Sequence, residues 1–230
     1  MFILLVKNSH WLLVLMCVFL AGCATNRSAI TLKSSIAAPA KATVPTGQTA
    51  VIRIVKDDRV FEEKPKDASI PSLGFGGAAN SSAELKASAV GRKRNGFGKA
   101  LGDVTLENGK TVDGVIRERL TLALQQAGYE VKQDDQAVNP TLVLDVNIKQ
   151  FWAWIQPGFW AITVHTKIET DLNVAGLSTP ININTHVQES RQIVPDSAWI
   201  SILSKGLDDY QTKVSVELAK LPSSASTKTQ

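Results

Sequence analysis

The sequence contains very little cysteine, with two residues in 230, Cys17 and Cys23. Both lie near the N-terminus, in a segment with the pattern of an export signal. A disulfide or a cysteine nucleophile in the folded domain is therefore excluded. An exported chain without disulfides must be stabilised by its hydrophobic core, and residues 49–221 are long enough to form one domain.

Motifs of catalysis are also missing. There is no Gly-x-Ser-x-Gly nucleophile elbow. The adjacent carboxylates Asp57-Asp58, Asp134-Asp135 and Asp208-Asp209 lie in polar surroundings, whereas an acid/base pair needs one carboxyl in an apolar pocket. The net charge of +4 is modest and does not indicate nucleic-acid binding. We therefore predict a protein that is not an enzyme, holds no cofactor and binds no nucleic acid.

The N-terminus has the order of a secretory signal: one early Lys, the apolar run Trp11–Leu20, and small residues before Cys23. The run is short for a transmembrane helix, which needs about 20 apolar residues. Leu20-Ala21-Gly22-Cys23 resembles the lipobox of bacterial lipoproteins. The resemblance implies that residues 1–22 are removed as a signal peptide and that acyl chains such as palmitate are attached to Cys23, a firm membrane anchor. An ordinary signal peptide ending in Cys is the alternative.

The residue after Ala24 is Thr25, and no Asp follows Cys23 to resemble the inner-membrane retention signal of enteric bacteria. By that analogy we predict the outer membrane, with the domain in the periplasm. Residues 24–48 are rich in Ala, Ser, Thr and Pro and predict a flexible tether. Residues 222–230 have nothing to bury and predict a disordered tail.

Periodicity predicts one α+β domain over residues 49–221. Strands are expected at 49–55, 103–106, 129–132 and 142–155, and then in a long alternation over 160–174 and 181–194. Helical spacing of apolar residues predicts amphipathic helices at 112–127 and from Asp196 to Leu221. Residues 56–110 are glycine-rich and predict a long loop. The order predicts a two-layer sandwich: a mainly antiparallel sheet with two amphipathic helices on one face.

This layout is similar to the YajG-type family of uncharacterised bacterial lipoproteins. The similarity rests on the lipobox, on Asp57-Asp58-Arg59 after the first strand, and on a helix ending in LTLALQQAGYEV. The alternating strands LVLDVNIKQFWAWI and ITVHTKIETDLNV and the terminal helix complete it. The layout also resembles auxiliary lipoproteins of envelope lipid transporters, which partner an ABC-type importer or a channel protein. Neither resemblance implies a catalytic residue.

The segment GRKRNGFGK, residues 91–99, is the first candidate binding site. A nucleotide-binding P-loop is rejected in both possible registers. With Gly91 and Gly96 as its glycines, Phe97 stands where Lys is required; with Gly98-Lys99, Lys93 replaces the first Gly and Ala100 replaces the hydroxyl. Five basic residues without an acid remain: Lys86, Arg92, Lys93, Arg94 and Lys99. They predict either a loop that binds lipid head groups, lipopolysaccharide phosphates or an acidic partner, or a solvated loop whose glycines permit turns.

The second candidate site is FWAWIQPGFW, residues 151–160, around a hairpin tip. Side chains alternate between the two faces of a strand. If the alternation that starts at Leu142 continues, Trp152, Trp154 and Trp160 lie on the core face and Phe151 and Phe159 on the other. The three Trp are then core residues, or an exposed patch for a partner protein or an acyl chain if the hairpin extends beyond the helices.

Histidine does not predict a metal site. His165 and His186 are expected on the polar faces of neighbouring strands, not side by side, with His165 opposite about Ser190. A metal site would need three or four converging ligands. The sequence therefore predicts a lipid-anchored, non-enzymatic accessory protein of the Gram-negative envelope that acts through contacts with an envelope protein. The alternative is an auxiliary module that handles lipids or glycolipids with the aromatic hairpin and the basic loop.

Overall fold

The computed structural model describes residues 27–32, 47–74 and 76–221. The predicted signal peptide, Cys23 and the predicted tail at 222–230 lie outside these residues. Within the described part of the chain, no helix is both long and apolar enough to cross a membrane.

Eight strands and three α-helices occur in the described residues. In chain order they are β1 (Ser28–Ile30), β2 (Thr49–Asp57), α1 (Ala83–Ser88), β3 (Ala89–Arg94), β4 (Ala100–Leu106), α2 (Val112–Gln126), β5 (Glu130–Lys132), β6 (Leu142–Pro157), β7 (Ile162–Val174), β8 (Ile181–Arg191) and α3 (Asp196–Ala219). The predicted helices and the long alternating strands are confirmed, with ends that differ by a few residues.

All eight strands belong to one sheet, with β6 at its centre. On one side β6 pairs antiparallel with β7, which pairs antiparallel with β8. On the other side, the first half of β6 pairs parallel with β2 and its second half meets β3 where Gly91 lies beside Ala153. The sheet continues from β3 through antiparallel β4 to parallel β1, and from β2 to parallel β5.

The helices α2 and α3 cover one face of this sheet. Their apolar stripes pack on inward-facing residues of the long strands in one core that includes Leu120 and Leu203 on the helices and Val146 and Ile168 on the strands. Burial of such stripes is what stabilises amphipathic helices in a protein. The predicted α+β two-layer architecture is therefore confirmed, although several strand pairs are parallel.

The prediction of a long loop over residues 56–110 is wrong. This stretch contains α1 and the hairpin of β3 and β4. Ser82 caps α1 by accepting a hydrogen bond from the Leu85 amide. These elements are short and poorly patterned, so sequence periodicity does not reveal them. Strands β3 and β4 form because their backbone N–H and C=O groups make hydrogen bonds with neighbouring strands of the sheet.

The prediction of a flexible tether is wrong for its described N-terminal part. Ser28–Ile30 forms β1 against β4, and the side chains of Ile30 and Leu32 are buried in the main core. The rest of the predicted tether, residues 33–46, lies outside the described residues. The sheet therefore begins near Ser28, only a few residues after Cys23.

A β-bulge in β6 changes which side chains face the helices. Ile148 pairs with Thr170 and Gln150 pairs with Glu169, so Lys149 is an extra residue. Beyond the bulge, Phe151 and Ala153 join the core under α2 and α3, whereas Trp152 and Trp154 lie in a second apolar cluster. We call the sheet face opposite α2 and α3 the outer face.

Candidate functional site

The two segments singled out from the sequence lie side by side in the sheet. Strand β3 carries the basic residues and contacts β6, the aromatic strand, at Gly91 and Ala153. A Cβ atom on Gly91 would be 2.8 Å from the Ala153 carbonyl oxygen and 3.1 Å from the Trp199 ring. Only glycine permits this close approach, which brings the basic and aromatic segments together.

The basic residues of β3 divide between the two faces of the sheet because side chains alternate along a strand. The Lys93 ammonium contacts Asp196 at the start of α3, 3.0 Å away, and also the Ser28 hydroxyl. Lys93 therefore holds β1, β3 and α3 together. Arg92 and Arg94 lie on the outer face, and Lys99 is exposed in the turn between β3 and β4.

Arg94 and Trp154 line an open cleft on the outer face, which we call the Arg94–Trp154 cleft. Its volume is about 330 Å³, and the remaining lining residues are Lys66, Asp67, Ala68, Asn95, Gly96, Gly98, Ile155, Gln156 and Pro157. A second hollow of about 240 Å³ adjoins it at Arg94 and includes Lys64, Arg92 and the acidic Glu63. A third, of about 300 Å³, adjoins it at Gln156 and includes His165.

The cleft has more positive than negative charge. Arg94 donates hydrogen bonds to the Pro65 carbonyl and to the Ser72 hydroxyl, each at 3.2 Å. Burial lowers the pKa of the Arg94 guanidinium, and the neighbouring charge of Arg92 lowers it further. The Nε atom of Arg92 is buried without a hydrogen-bond partner in the described residues. The like charges of Arg92 and Arg94 repel each other, and the carboxylate of Asp103, which pairs with Arg92 across β3 and β4, lies on the same side of the sheet.

Asp67 is the acidic residue of the cleft lining. Its carboxylate accepts a hydrogen bond of 2.8 Å from the Ser69 amide. The pKa of Asp67 is lowered first by this bond and, more weakly, by the charge of Arg94. Because the carboxylate is already bonded to its own loop, it neutralises the cleft only in part.

The two histidines contact each other, contrary to the prediction. His165 pairs with Gln188, and the Nδ1 atom of His165 is 3.3 Å from Nε2 of His186. Both imidazole rings stack on Trp154, at centroid distances of 4.9 and 5.5 Å. The prediction missed this contact because the register between β7 and β8 is displaced by two residues from the one expected.

His165 is buried rather than a surface residue. Burial lowers its pKa, and the neighbouring His186 lowers it further. Its Nε2 atom is also buried without a hydrogen-bond partner in the described residues. His165, His186 and Trp154 thus form a rigid aromatic wall beside the cleft. No group of three or more His, Cys, Asp or Glu side chains in the described segments has the arrangement of a metal site.

The aromatic residues of β6 and its turn divide into three environments. Phe151 is buried under the helices, which corrects its predicted place on the outer face. Trp152 and Trp154 are buried on the outer face, not the helix face, in a cluster covered by Leu73 and other residues of the 58–85 segment. Phe159 and Trp160 are exposed at the hairpin tip. The β-bulge at Lys149 is the physical reason, because one extra residue moves every later side chain of β6 to the opposite face of the sheet.

Sequence reasoning missed the residues contributed by the 58–85 segment. Lys66 and Asp67 complete the cleft, and the Ala68 carbonyl accepts a 3.2 Å hydrogen bond from the Trp152 indole. This segment is a run of charged residues and prolines without periodicity, so its sequence does not indicate which face of the sheet it covers. The high density of Lys and Glu between Glu62 and Lys66 was the available indication of a polar surface.

No protein-family model matches the sequence, and no curated protein sequence matches it. Among solved structures, the fold is similar to protein XCC0632 of Xanthomonas campestris, from the family DUF330. The TM-score is 0.47 and the identity 8%, and the match covers 84% of this chain and 93% of that one. It is also similar to a Helicobacter pylori protein assigned as a neuraminyllactose-binding hemagglutinin homologue, with a TM-score of 0.42 and 12% identity over 83% and 93% of the two chains.

A third similar structure is a Caulobacter crescentus protein assigned as a lipoprotein, with a TM-score of 0.25 and 12% identity over 46% of this chain and 77% of that one. The chain therefore has neighbours of known structure that include a DUF330 protein and an assigned lipoprotein. At these identities and scores, the likeness concerns the general fold, and the function has to be argued from the residues of the cleft.

Proposed function

We propose that this chain is a lipid-anchored, non-enzymatic accessory protein of the Gram-negative envelope. In this proposal the acyl chains on Cys23 hold it to the outer membrane, and the domain binds a partner protein in the periplasm. The export signal and the lipobox support the anchor. The Arg94–Trp154 cleft is the observation that supports the binding role.

The chemistry of the cleft suits an acidic segment of a partner protein. Arg94 can present its planar guanidinium to a carboxylate, with Lys66 beside it and the Trp154 edge as an apolar floor. The cleft is open, and it is formed by two hairpins of the sheet together with Lys66, Asp67 and Ala68 of the 58–85 segment. Such a preformed surface suits protein contacts, because little ordering of the chain is needed on binding.

The second candidate is a module that handles lipids or glycolipids. The surplus of cationic side chains around the cleft supports recognition of a phosphate-bearing head group. Trp152 is fully buried and Trp154 nearly so, and both already pack on neighbouring side chains. Trp154 therefore lines the cleft beside a head group, and neither Trp provides an apolar chamber for an acyl chain.

Site-specific photo-crosslinking in cells tests the partner-binding proposal. A photoreactive amino acid at Gln156 reports on the cleft, and one at Val216, exposed on α3, is the matched control. We expect Gln156 to capture one envelope protein that Val216 does not. The Arg94→Gln variant should lower the yield roughly tenfold, since an ion-assisted hydrogen bond contributes about 1.5 kcal/mol or more, and Arg94→Lys should retain part of it.

Two outcomes of the crosslinking experiment would contradict the partner-binding proposal. Crosslinks to lipid or lipopolysaccharide at Gln156 that Arg94→Gln abolishes would favour the second candidate, because a lipid that is merely near the hairpin tip would still be captured. Equal capture by Gln156 and Val216 would contradict a specific role for the cleft. The anchor is tested on its own by Cys23→Ser, which should remove the acyl chains seen by mass spectrometry.

A further inference from the structure

Two hairpin tips lie at the same end of the sheet. The first is the turn at residues 95–99 between β3 and β4, and the second is the turn at residues 158–161 between β6 and β7. Because β3 and β6 run parallel and meet at Gly91 and Ala153, the turns that follow them point in the same direction. Gly96, Gly98 and Pro157 line the same cleft, so the tips are close together.

The tips expose three large aromatic side chains. The exposed fractions are 98% for Phe97, 90% for Phe159 and 82% for Trp160. The Phe159 and Trp160 rings contact each other edge to face, with centroids 4.9 Å apart. Single exposed apolar residues are ordinary, but a cluster of aromatic rings at one end of a molecule marks an interaction surface.

The first tip holds its ring in a defined position. The Asn95 side-chain oxygen accepts hydrogen bonds from the Phe97 amide at 3.0 Å and from the Lys99 amide at 2.9 Å. Gly98 donates to the Asn95 carbonyl and has a φ of +78°, which glycine adopts without strain. Phe97 is thus presented outward by an ordered turn rather than by a loose loop.

Basic side chains outnumber acidic ones around the tips. The residues of the two turns include Lys99 and no acidic residue, and behind them the cleft has Arg94 and Lys66 against Asp67. Exposed aromatic rings with basic side chains behind them are the composition of proteins that bind at a membrane surface. The rings lie at the level of the head groups, and Lys and Arg are attracted to anionic lipids.

The N-terminal chain enters the sheet near this same end. Strand β1 runs parallel to β4, so its N-terminal end at Ser28 is the end that faces Ala100 and the first tip. Arg27 contacts Asp103 through an ion pair of 3.2 Å. From Arg27, the four residues back to Cys23 can span at most about 14 Å. Along β4, the distance from Asp103 back to Lys99 is about 13 Å.

We propose that the two hairpin tips dock on the phospholipid surface in which Cys23 is anchored. The inference rests on the proposed lipid anchor, because the short connection cannot place the acyl chains far beyond the tips. Phe97, Phe159 and Trp160 insert among the head groups, and Lys99 faces anionic lipid. The domain then has a fixed orientation on the membrane, with the opposite end of the sheet directed into the periplasm.

Tryptophan quenching by brominated lipids tests this orientation. The lipidated full-length mature protein is reconstituted into vesicles of phosphatidylethanolamine and phosphatidylglycerol, with or without bromine on the acyl chains. Trp160 is the exposed tryptophan of the described residues, since Trp152, Trp154 and Trp199 are buried. We expect bromolipids to quench a component of the wild-type emission that the Trp160→Phe variant lacks.

A reporter at the opposite end of the sheet provides the matched control. Val138 is 86% exposed and lies just before β6, whose far end carries the second tip. In the Trp160→Phe background, Val138→Trp should be unquenched by bromolipids. Both substitutions are at exposed positions, so neither should disturb the fold. In protein that keeps Trp160, the double substitution Phe97→Ser and Phe159→Ser should abolish the quenching of Trp160.

Several results would overturn the inference. One is the absence of Trp160 quenching in protein whose acyl chains are confirmed by mass spectrometry, which would leave the anchor itself intact. Equal quenching of Trp160 and of the Val138→Trp reporter would show that the domain has no fixed orientation. A Cys23 without acyl chains would remove the short connection on which the docking depends. Capture of a protein by photo-crosslinkers at Phe97, without quenching, would assign the tips to a partner.

Discussion

At the scale of the residue, Arg59 connects the segment that covers the outer face to the sheet. Its guanidinium is fully buried and forms an ion pair of 2.7 Å with Asp57. It also donates hydrogen bonds to the carbonyl groups of Ala89, Phe151 and Lys86. A buried charge of this kind is tolerated because its donors have partners on three strands and a helix.

Replacing Arg59 by Met should therefore destabilise the protein strongly. The substitution leaves several buried carbonyl oxygens without donors, and we expect a loss of roughly 3–5 kcal/mol in the free energy of unfolding, measured by urea denaturation. Arg53 is the control, since it also pairs with a carboxylate, that of Asp145, but is about half exposed. Arg53→Met should change stability far less. Equal losses for the two variants would contradict the structural role of Arg59.

At the scale of the element, the packing of α3 on β7 depends on one glycine. A Cβ atom on Gly206 would lie 2.5 Å from the methyl group of Thr166 on β7. The helix therefore approaches the sheet closely at this point, which buries Leu203 and Leu207 on either side. Glycine inside a helix normally costs up to about 1 kcal/mol relative to alanine. Close packing of α3 on β7 is the physical reason for a glycine at this position of the helix.

The Gly206→Ala variant should accordingly lower stability, although alanine favours the helix. We expect a loss of about 1–3 kcal/mol from overpacking, measured by thermal and urea unfolding. Removing the opposing methyl group with Thr166→Ser should make the alanine less costly in the double variant than in the single one. A stabilising effect of Gly206→Ala alone would show that α3 does not approach β7 this closely.

The elements also differ in how far the sequence determines them. The alternation in β7 and the apolar spacing in α2 are local patterns, and both elements were predicted with ends close to those observed. The short strands β1 and β3 have no such pattern, because their backbone hydrogen bonds come from distant strands. The bulge at Lys149 leaves no trace in composition, so the positions of Phe151 and Trp152 were predicted on the wrong faces.

At the scale of the whole molecule, the first residues after the predicted anchor are part of the fold. Strand β1 adds to the edge of the sheet beside β4, and the side chain of Ile30 is buried. The domain is thereby connected to Cys23 by only a few residues. With the proposed acyl chains on Cys23, this short connection would limit the distance between the domain and the membrane.

Truncation of Ile30 tests this integration. If β1 belongs to the core, Ile30→Ala should lower the free energy of unfolding by about 2–5 kcal/mol, as measured by urea denaturation. Ile193 is 73% exposed, so Ile193→Ala is the matched control and should change it by less than about 0.5 kcal/mol. No effect of Ile30→Ala would restore the interpretation of this segment as a flexible tether.

The sequence by itself determined the long helices, the alternating strands and the two-layer α+β class, because helical and strand periodicities are local and follow from the burial of one face. It also indicated the basic and aromatic segments as candidate sites. Only the tertiary structure decided that Arg94 and Trp154 line one cleft, that Lys93 is structural, and that Phe97 and Trp160 lie at one end of the sheet. These relations depend on strand pairing and on a bulge, which are set by contacts between residues distant in the chain.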